Sequence, residues 1–182
     1  IILPTNSGTF GLSASYYGYS AYNEQKIGFA YGKSLGEVFS FGVQIDYFSI
    51  AIGNGYGRAQ AFTFELGMIA RINENLSIAS HIFNPVMVKI GKENPENIAA
   101  ILKFASAYRI DKDLLLLGEY EQRIDADGML KVGLEYAISD PFCVRIGLAN
   151  NPNTFSFGVG LKLKGLNIDI ASTYHQSLGF SP

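Results

Sequence analysis

Long segments in which apolar and polar residues alternate constrain the fold of this chain more than any other feature. They cover residues 9–20, 25–34, 38–52, 59–72, 75–84, 97–110, 113–124, 128–139, 141–149, 153–164 and 166–175. Most are about 9–14 residues long, whereas strands of soluble proteins usually have about 5–6 and a tilted membrane-spanning strand needs about 9–11. The segment lengths therefore predict eleven strands that cross a membrane.

The two sides of these segments differ in composition. In residues 153–164, Phe155 and Phe157 begin an apolar row, and Gly158 and Lys162 belong to the opposite row of small or charged residues. Only 16% of all residues are charged, against about a quarter in soluble domains. Transmembrane barrels have this pattern because one side of each strand meets lipid and the other side lines a polar interior. We therefore expect the apolar rows to point away from the barrel axis.

Short turn signals separate the segments, as at residues 35–36, 111–113 and 164–165, and they favour antiparallel hairpins. Residues 53–58 and 84–97 are longer and are predicted to be loops. Backbone groups inside lipid must all be paired, so such a meander has to close on itself. The predicted fold is an all-β, antiparallel, up-and-down transmembrane β-barrel of about 12–14 strands.

The number of predicted strands bears on the domain organisation. Residues 1–182 are expected to form a single outer-membrane β-barrel domain. Eleven strands is an odd number, whereas bacterial single-chain barrels usually have an even one. We therefore expect one to three strands to be missing at one or both ends, with the last residues, which end on Pro182, predicted to form a turn.

Catalytic motifs are not evident. His81 and His175 each stand alone, without the spacing of a zinc site, and Cys143 is interpreted as a small packed residue. The sequence contains no basic stripe for nucleic acid. These observations predict no enzyme activity, no catalytic residues, no cofactor-binding or metal-binding residues and no nucleic-acid partner.

Charged residues on the polar sides of the later strands are expected to lie close together if neighbouring strands pair in order. They are Glu119, Glu121, Lys131, Glu135, Arg145, Lys162 and Asp169. Such an interior band of mixed charge has two interpretations. It forms a pore lining or an acid–base pair, or it is a network of ion pairs that fills the interior, since buried charges need partners.

The C-terminal stretch of residues 166–182 reads LNIDIASTYHQSLGFSP, and residues 81–85 read HIFNP. The stretch resembles the penultimate hairpin of the PorV/PorQ-like outer-membrane barrels of Bacteroidetes, which look like relatives of the long-chain fatty-acid transporter barrels. This resemblance implies a barrel of about fourteen strands. It also implies noncatalytic roles in secretion, in assembly of outer-membrane machines or in passage of hydrophobic solutes.

Three functions are compatible with these patterns. The resemblance favours an accessory or partner-docking subunit of an outer-membrane assembly or secretion complex, whose partners are the lipid bilayer and other outer-membrane proteins. A channel or transporter for small or hydrophobic solutes is the first alternative. The second is a soluble ligand-binding β-barrel, which requires the apolar rows to point inward. The direction of these rows separates the membrane interpretations from the soluble one.

Overall fold

The computed structural model describes residues 1–53, 57–91, 95–176 and 179–181. Its strands are β1 (Ile2–Thr5), β2 (Gly8–Tyr19), β3 (Tyr22–Leu35), β4 (Phe39–Ile52), β5 (Gly57–Arg71), β6 (Leu76–Phe83), β7 (Lys89–Ile90), β8 (Glu96–Asn97), β9 (Ile101–Arg109), β10 (Leu114–Arg123), β11 (Met129–Ser139), β12 (Phe142–Ala149), β13 (Thr154–Leu163), β14 (Leu166–His175) and β15 (Gly179–Ser181). Within these ranges thirteen strands follow one another in chain order in a single sheet, and β7 pairs with β8 separately. The same ranges contain no helix long and apolar enough to cross a membrane.

Each of the eleven predicted segments corresponds to a strand, so the all-β, up-and-down arrangement is confirmed. The sequence pattern missed β1, β7, β8 and β15, which have only two to four residues each and are too short to show an alternation. Two of them lie inside the predicted loop 84–97. Residues 54–56 of the other predicted loop are outside the described residues.

The final residues correct one prediction. They were expected to form a turn, but β15 pairs antiparallel with β14, and Phe180 lies opposite Tyr174. The two rings pack with their centroids 5.0 Å apart. A contact between aromatic side chains on neighbouring strands stabilises the pairing of those strands. The local sequence contains turn-forming residues and does not indicate this contact.

The hairpin turns have the chemistry that the sequence predicts. Gly36 and Gly165 adopt φ values of 68° and 79°, which glycine adopts without the steric cost that a Cβ brings. At the turn between β9 and β10, the Asp111 Oδ1 atom accepts hydrogen bonds from the backbone N–H groups of Asp113 and Leu114 at 2.8 and 2.9 Å. These local bonds hold the turn in place and so set the register of the strands that follow.

The first compact unit comprises residues 1–70, 80–102 and 123–125. Gly28 lies opposite Asp46, and Asp46 lies opposite Thr63, so these residues share one face of strands β3 to β5. We call it the polar face of the first unit; it also includes Ser13, Lys26, Gln44 and Glu65. Asp46 and Thr63 are 0% exposed, whereas Ile45 on the opposite, apolar face is 60% exposed.

The second compact unit comprises residues 71–79, 103–122 and 126–182. Its polar face contains Lys131, Glu135, Cys143, Arg145, Gly158, Gly160 and Asp169, as the register of β11 to β14 shows. Cys143 on this face is 4% exposed, while Leu148 on the apolar face is 62% exposed. Both units therefore have their apolar rows on the outside.

This arrangement is the reverse of that in a water-soluble protein, where large apolar side chains are mostly buried. Extended apolar surfaces of this kind mark contacts with a membrane or with a partner. The exposure of the apolar rows agrees with their predicted direction and does not fit the soluble ligand-binding barrel, which needs the rows to converge inward.

A charge placed at the middle of an apolar row tests this direction. We expect Ile45→Arg to lower the free energy of unfolding in phospholipid vesicles by about 2–4 kcal/mol, because the guanidinium has to enter the hydrocarbon region. The fraction of heat-modifiable, folded protein on gels is measured against guanidinium concentration. The control Ile45→Leu should stay within about 1.5 kcal/mol of the parent, and an equal stability of all three proteins contradicts a lipid-facing Ile45.

Candidate functional site

A network of charged and polar side chains joins four strands on the polar face of the first unit. Lys26 Nζ lies 3.5 Å from Asp46 Oδ2 and donates a hydrogen bond to Glu65. His81 Nε2 lies 2.8 Å from the other carboxylate oxygen of Glu65, and Gln44 Nε2 donates to Asp46 Oδ1 at 2.8 Å. We call these five residues the Lys26 network.

Burial explains why these charges are connected. Lys26 reaches across β4 to Glu65 on β5, and its amine also lies 4.9 Å from the centroid of the Phe83 ring. The Asp46 side chain has no exposed surface. A charge removed from water is costly unless oppositely charged and hydrogen-bonding groups surround it, and Lys26 and Gln44 supply those groups for Asp46.

Gly28 makes room for the Lys26 network. A Cβ atom on Gly28 would lie 2.6 Å from Asp46 Oδ1, from Gln44 Nε2 and from Ser13 Oγ. No real Cβ atom approaches other heavy atoms so closely, so the polar side chains pack directly on the backbone of Gly28. The glycine is therefore a packing requirement of this part of the polar face.

A second network lies on the polar face of the second unit and joins β9, β10 and β11. Lys131 Nζ donates hydrogen bonds to Glu119 and Glu121, each at 2.8 Å. Lys103 Nζ of β9 lies 3.2 Å from Glu121 Oε2. Two cations and two carboxylates thus alternate across three strands, and their charges balance.

A third network is centred on Arg145 of β12. Its Nε atom donates to Glu135 of β11 at 2.6 Å, and its Nη1 atom donates to Asp169 of β14. The guanidinium therefore passes over β13, where Gly158 and Gly160 carry no side chains. A Cβ on Gly160 would lie 2.7 Å from Asp169 Oδ1 and 2.6 Å from the sulfur of Cys143.

The predicted band of mixed charge is therefore present in the second unit. Six of the seven charged residues expected there belong to the two networks of that unit, and Lys103 joins them. Lys162 forms no ion pair with the residues that the structure describes. Because the carboxylates are already engaged with cations, the geometry fits the interpretation as an ion-pair network better than that as an acid–base pair.

The sequence analysis missed the Lys26 network and treated His81 as isolated. A signal was available, since Lys26, Asp46 and Glu65 all occupy the polar side of their segments. Counting residues outward from the hairpin turns gives the register, which places these positions close together. His81 needed the additional pairing of β6, which the sequence pattern alone does not specify.

In residues 1–53, 57–91, 95–176 and 179–181, no group of three or more His, Cys, Asp or Glu side chains could hold a metal ion. His175 lies in β14 opposite Thr154, far along the chain from His81. Cys143 is buried beside Gly160, as expected of a packed residue.

Comparison with solved structures places this arrangement among known folds. The toluene transporter TbuX of Ralstonia pickettii matches with a TM-score of 0.70 and 12% identity, over 96% of this chain and 74% of that one. A Pseudomonas aeruginosa FadL homologue matches with a TM-score of 0.61 and 12% identity, over 94% and 68% of the two chains. The KdgM porin, solved with disordered oligogalacturonate, matches with a TM-score of 0.54 and 19% identity, over 90% and 89%.

No protein-family model matches this sequence, and no curated protein matches it either. At these identities the structural matches show the fold alone. The chain has the fold of bacterial outer-membrane β-barrel proteins. The matches agree with the outer-membrane β-barrel fold that the C-terminal resemblance implies, whereas its link to the PorV/PorQ-like barrels is not tested by them.

The glycine beneath Arg145 gives a test of the third network. We expect Gly160→Ala to lower the free energy of unfolding by about 1–3 kcal/mol, because the added methyl group displaces Asp169 or Cys143. The matched control is Gly147→Ala on the same face, where the nearest atoms lie 3.7 Å from the new Cβ. Denaturant unfolding of both variants is compared. Equal stabilities would show that Arg145 does not depend on the space above β13.

Removal of the Lys26 amine tests the first network. We expect Lys26→Met to lower the free energy of unfolding by about 1–3 kcal/mol, because the buried Asp46 carboxylate loses its cation. The double variant with Asp46→Asn should recover part of that loss. A double-mutant cycle measured by denaturant unfolding checks the coupling, and strictly additive effects of the two substitutions contradict it.

Proposed function

We propose that this chain is a noncatalytic integral protein of the bacterial outer membrane that lets small or hydrophobic solutes pass. The observation that carries the proposal is the division of the sheet into an exposed apolar face and a polar face lined by paired charges. An apolar exterior with a polar interior is the arrangement of a barrel that spans lipid and surrounds a passage.

The bilayer is the first partner in this proposal. Strands β2 to β5 have twelve to fifteen residues each, and a tilted strand needs about 9–11 to cross the hydrocarbon core. Their apolar side chains would contact acyl chains directly. We also propose that residues 1–182 belong to one barrel domain.

The pairing of the cations in the three networks supports passage of uncharged solutes. Lys26, Lys103, Lys131 and Arg145 each contact at least one carboxylate. A polyanion would therefore meet cations that are already neutralised and would also approach their carboxylates. Among the structural matches, two are described as toluene transporters and one as a porin with bound oligogalacturonate. The paired cations favour a small apolar solute over an acidic oligosaccharide.

The role as a partner-docking subunit of an assembly or secretion complex rests on the C-terminal resemblance to the PorV/PorQ-like barrels. That finer kinship, and with it the implied partners, stays a prediction. The transport proposal is preferred because transporters and porins share the fold. Constant co-purification with larger membrane proteins would favour the docking role.

Uptake into vesicles tests the transport proposal. The refolded protein is inserted into phospholipid vesicles, and entry of a small uncharged solute, such as arabinose or phenol, is compared with entry of an acidic oligogalacturonate. We expect the uncharged solute to enter about tenfold faster than the oligogalacturonate, because Lys26, Lys103, Lys131 and Arg145 on the described polar faces are already paired with carboxylates. Protein-free vesicles are the control for leakage. Uptake equal to that control contradicts the proposed function.

A further inference from the structure

A cavity of about 560 Å³ lies against the polar face of the first unit. Its volume is within the range of about 300–1,000 Å³ that is usual for small-molecule sites. Backbone and small residues form much of its wall, including Gly32, Gly42 and Gly67. Polar side chains also line it, Glu65 and His81 among them. An apolar wall with a few convergent polar groups is the usual composition of a ligand site.

Three wall residues form a strip of bare backbone. Gly42 lies opposite Gly32 on β3 and opposite Gly67 on β5, so three adjacent strands lack side chains at the same level. We call these three residues the glycine strip. The strip presents a flat surface on which the face of a ring can lie, because no side chain projects from it.

The local structure does not require these glycines. None of the three has a positive φ. A Cβ atom would be at least 3.6 Å from its nearest neighbour at each position, which is ordinary van der Waals distance. Gly28, two rows away on the same face, differs because a Cβ there would be 2.6 Å from three polar atoms. Glycine weakens a strand, and a glycine that local packing does not demand is often found where another molecule approaches the backbone closely.

The hydrogen bond between His81 and Glu65 leaves the other ring nitrogen of His81 for a ligand. Its Nε2 atom lies 2.8 Å from Glu65 Oε2, and a carboxylate oxygen only accepts hydrogen bonds, so Nε2 carries a hydrogen. In the neutral ring the other nitrogen, Nδ1, is then an acceptor. No described residue donates a hydrogen bond to it. A solute hydroxyl or amino group can fill that role.

We infer that this cavity binds a small uncharged ring that bears one hydroxyl or amino group. The ring lies on the glycine strip, and its polar group donates to His81. An anionic head group beside His81 is disfavoured, because two carboxylates, Glu65 and Asp46, surround the cation Lys26 there. The inference deepens the proposed passage of small solutes and rests on it for its biological meaning.

Calorimetric titration of the refolded, full-length chain in detergent micelles tests the inference, with protein-free micelles as the blank. The probes are phenol, benzene and benzoate, which share a ring and differ in the attached group. We expect phenol to bind about fivefold more tightly than benzene, the gain of one hydrogen bond to a neutral acceptor. Benzoate should bind more weakly than either.

Two variants locate the site. Gly42→Val places a branched side chain on the glycine strip, where the backbone tolerates it, and should weaken phenol and benzene binding by about tenfold or more. The matched control Gly147→Val fills an equally open glycine on the polar face of the second unit and should leave both affinities unchanged. His81→Phe keeps the ring shape but removes the acceptor, so the preference for phenol over benzene should disappear.

The outcomes are separable. Unchanged affinities in Gly42→Val, an equal loss in Gly42→Val and Gly147→Val, or benzoate binding as tight as phenol would each overturn the inference. Heat-modifiable mobility confirms that each variant is folded, and His81→Phe supplies a second test if Gly42→Val does not fold. If vesicle uptake is normal in the Gly42→Val variant, the transport proposal stands and this site is not part of the passage. If phenol binds at the cavity but no solute enters the vesicles, the binding site stands and the transport proposal is refuted.

Discussion

Pairing of backbone groups between neighbouring strands is the constraint on which the rest of this structure depends. A strand in lipid has no water to satisfy its N–H and C=O groups, so each must find its partner on the next strand. Once the pairing register is set, it also decides which side chains share a face, and a slip of one residue would exchange the two faces completely. The long antiparallel ladder from β2 to β5 runs without a break in register.

The charged networks are consequences of that register. Glu135 stands directly opposite Arg145, and Glu119 directly opposite Lys131, so their ion pairs follow from strand pairing alone. A longer contact, such as the ion pair between Lys26 and Glu65, crosses an intervening strand and needs free space above that strand. Glycine supplies such space below Arg145 on β13. Charge pairing and glycine placement on the polar faces are thus two parts of one packing solution.

The glycines on these polar faces are of two kinds. Gly28 and Gly160 are covered by polar side chains that leave no room for a methyl group, whereas Gly32, Gly42 and Gly67 face a cavity. Sequence alone does not distinguish the two kinds, since each glycine occupies the polar side of an alternating segment. We prefer a solute passage over a docking role because of the fold and because the cations of the networks are paired with carboxylates. These ion pairs can be seen only once the strands are assembled.

Alternation and segment length by themselves determined that this chain forms long antiparallel strands with one apolar and one polar side, because side-chain direction along a strand has a period of two. Turn residues determined the hairpins in the same local way. The tertiary structure decided the partners on each face: Asp46 with Lys26 and Gln44, His81 with Glu65, and Phe180 with Tyr174. Apart from Asp46 and Gln44, which share β4, these contacts join residues on adjacent strands. They therefore depend on the register between strands, which no single segment encodes.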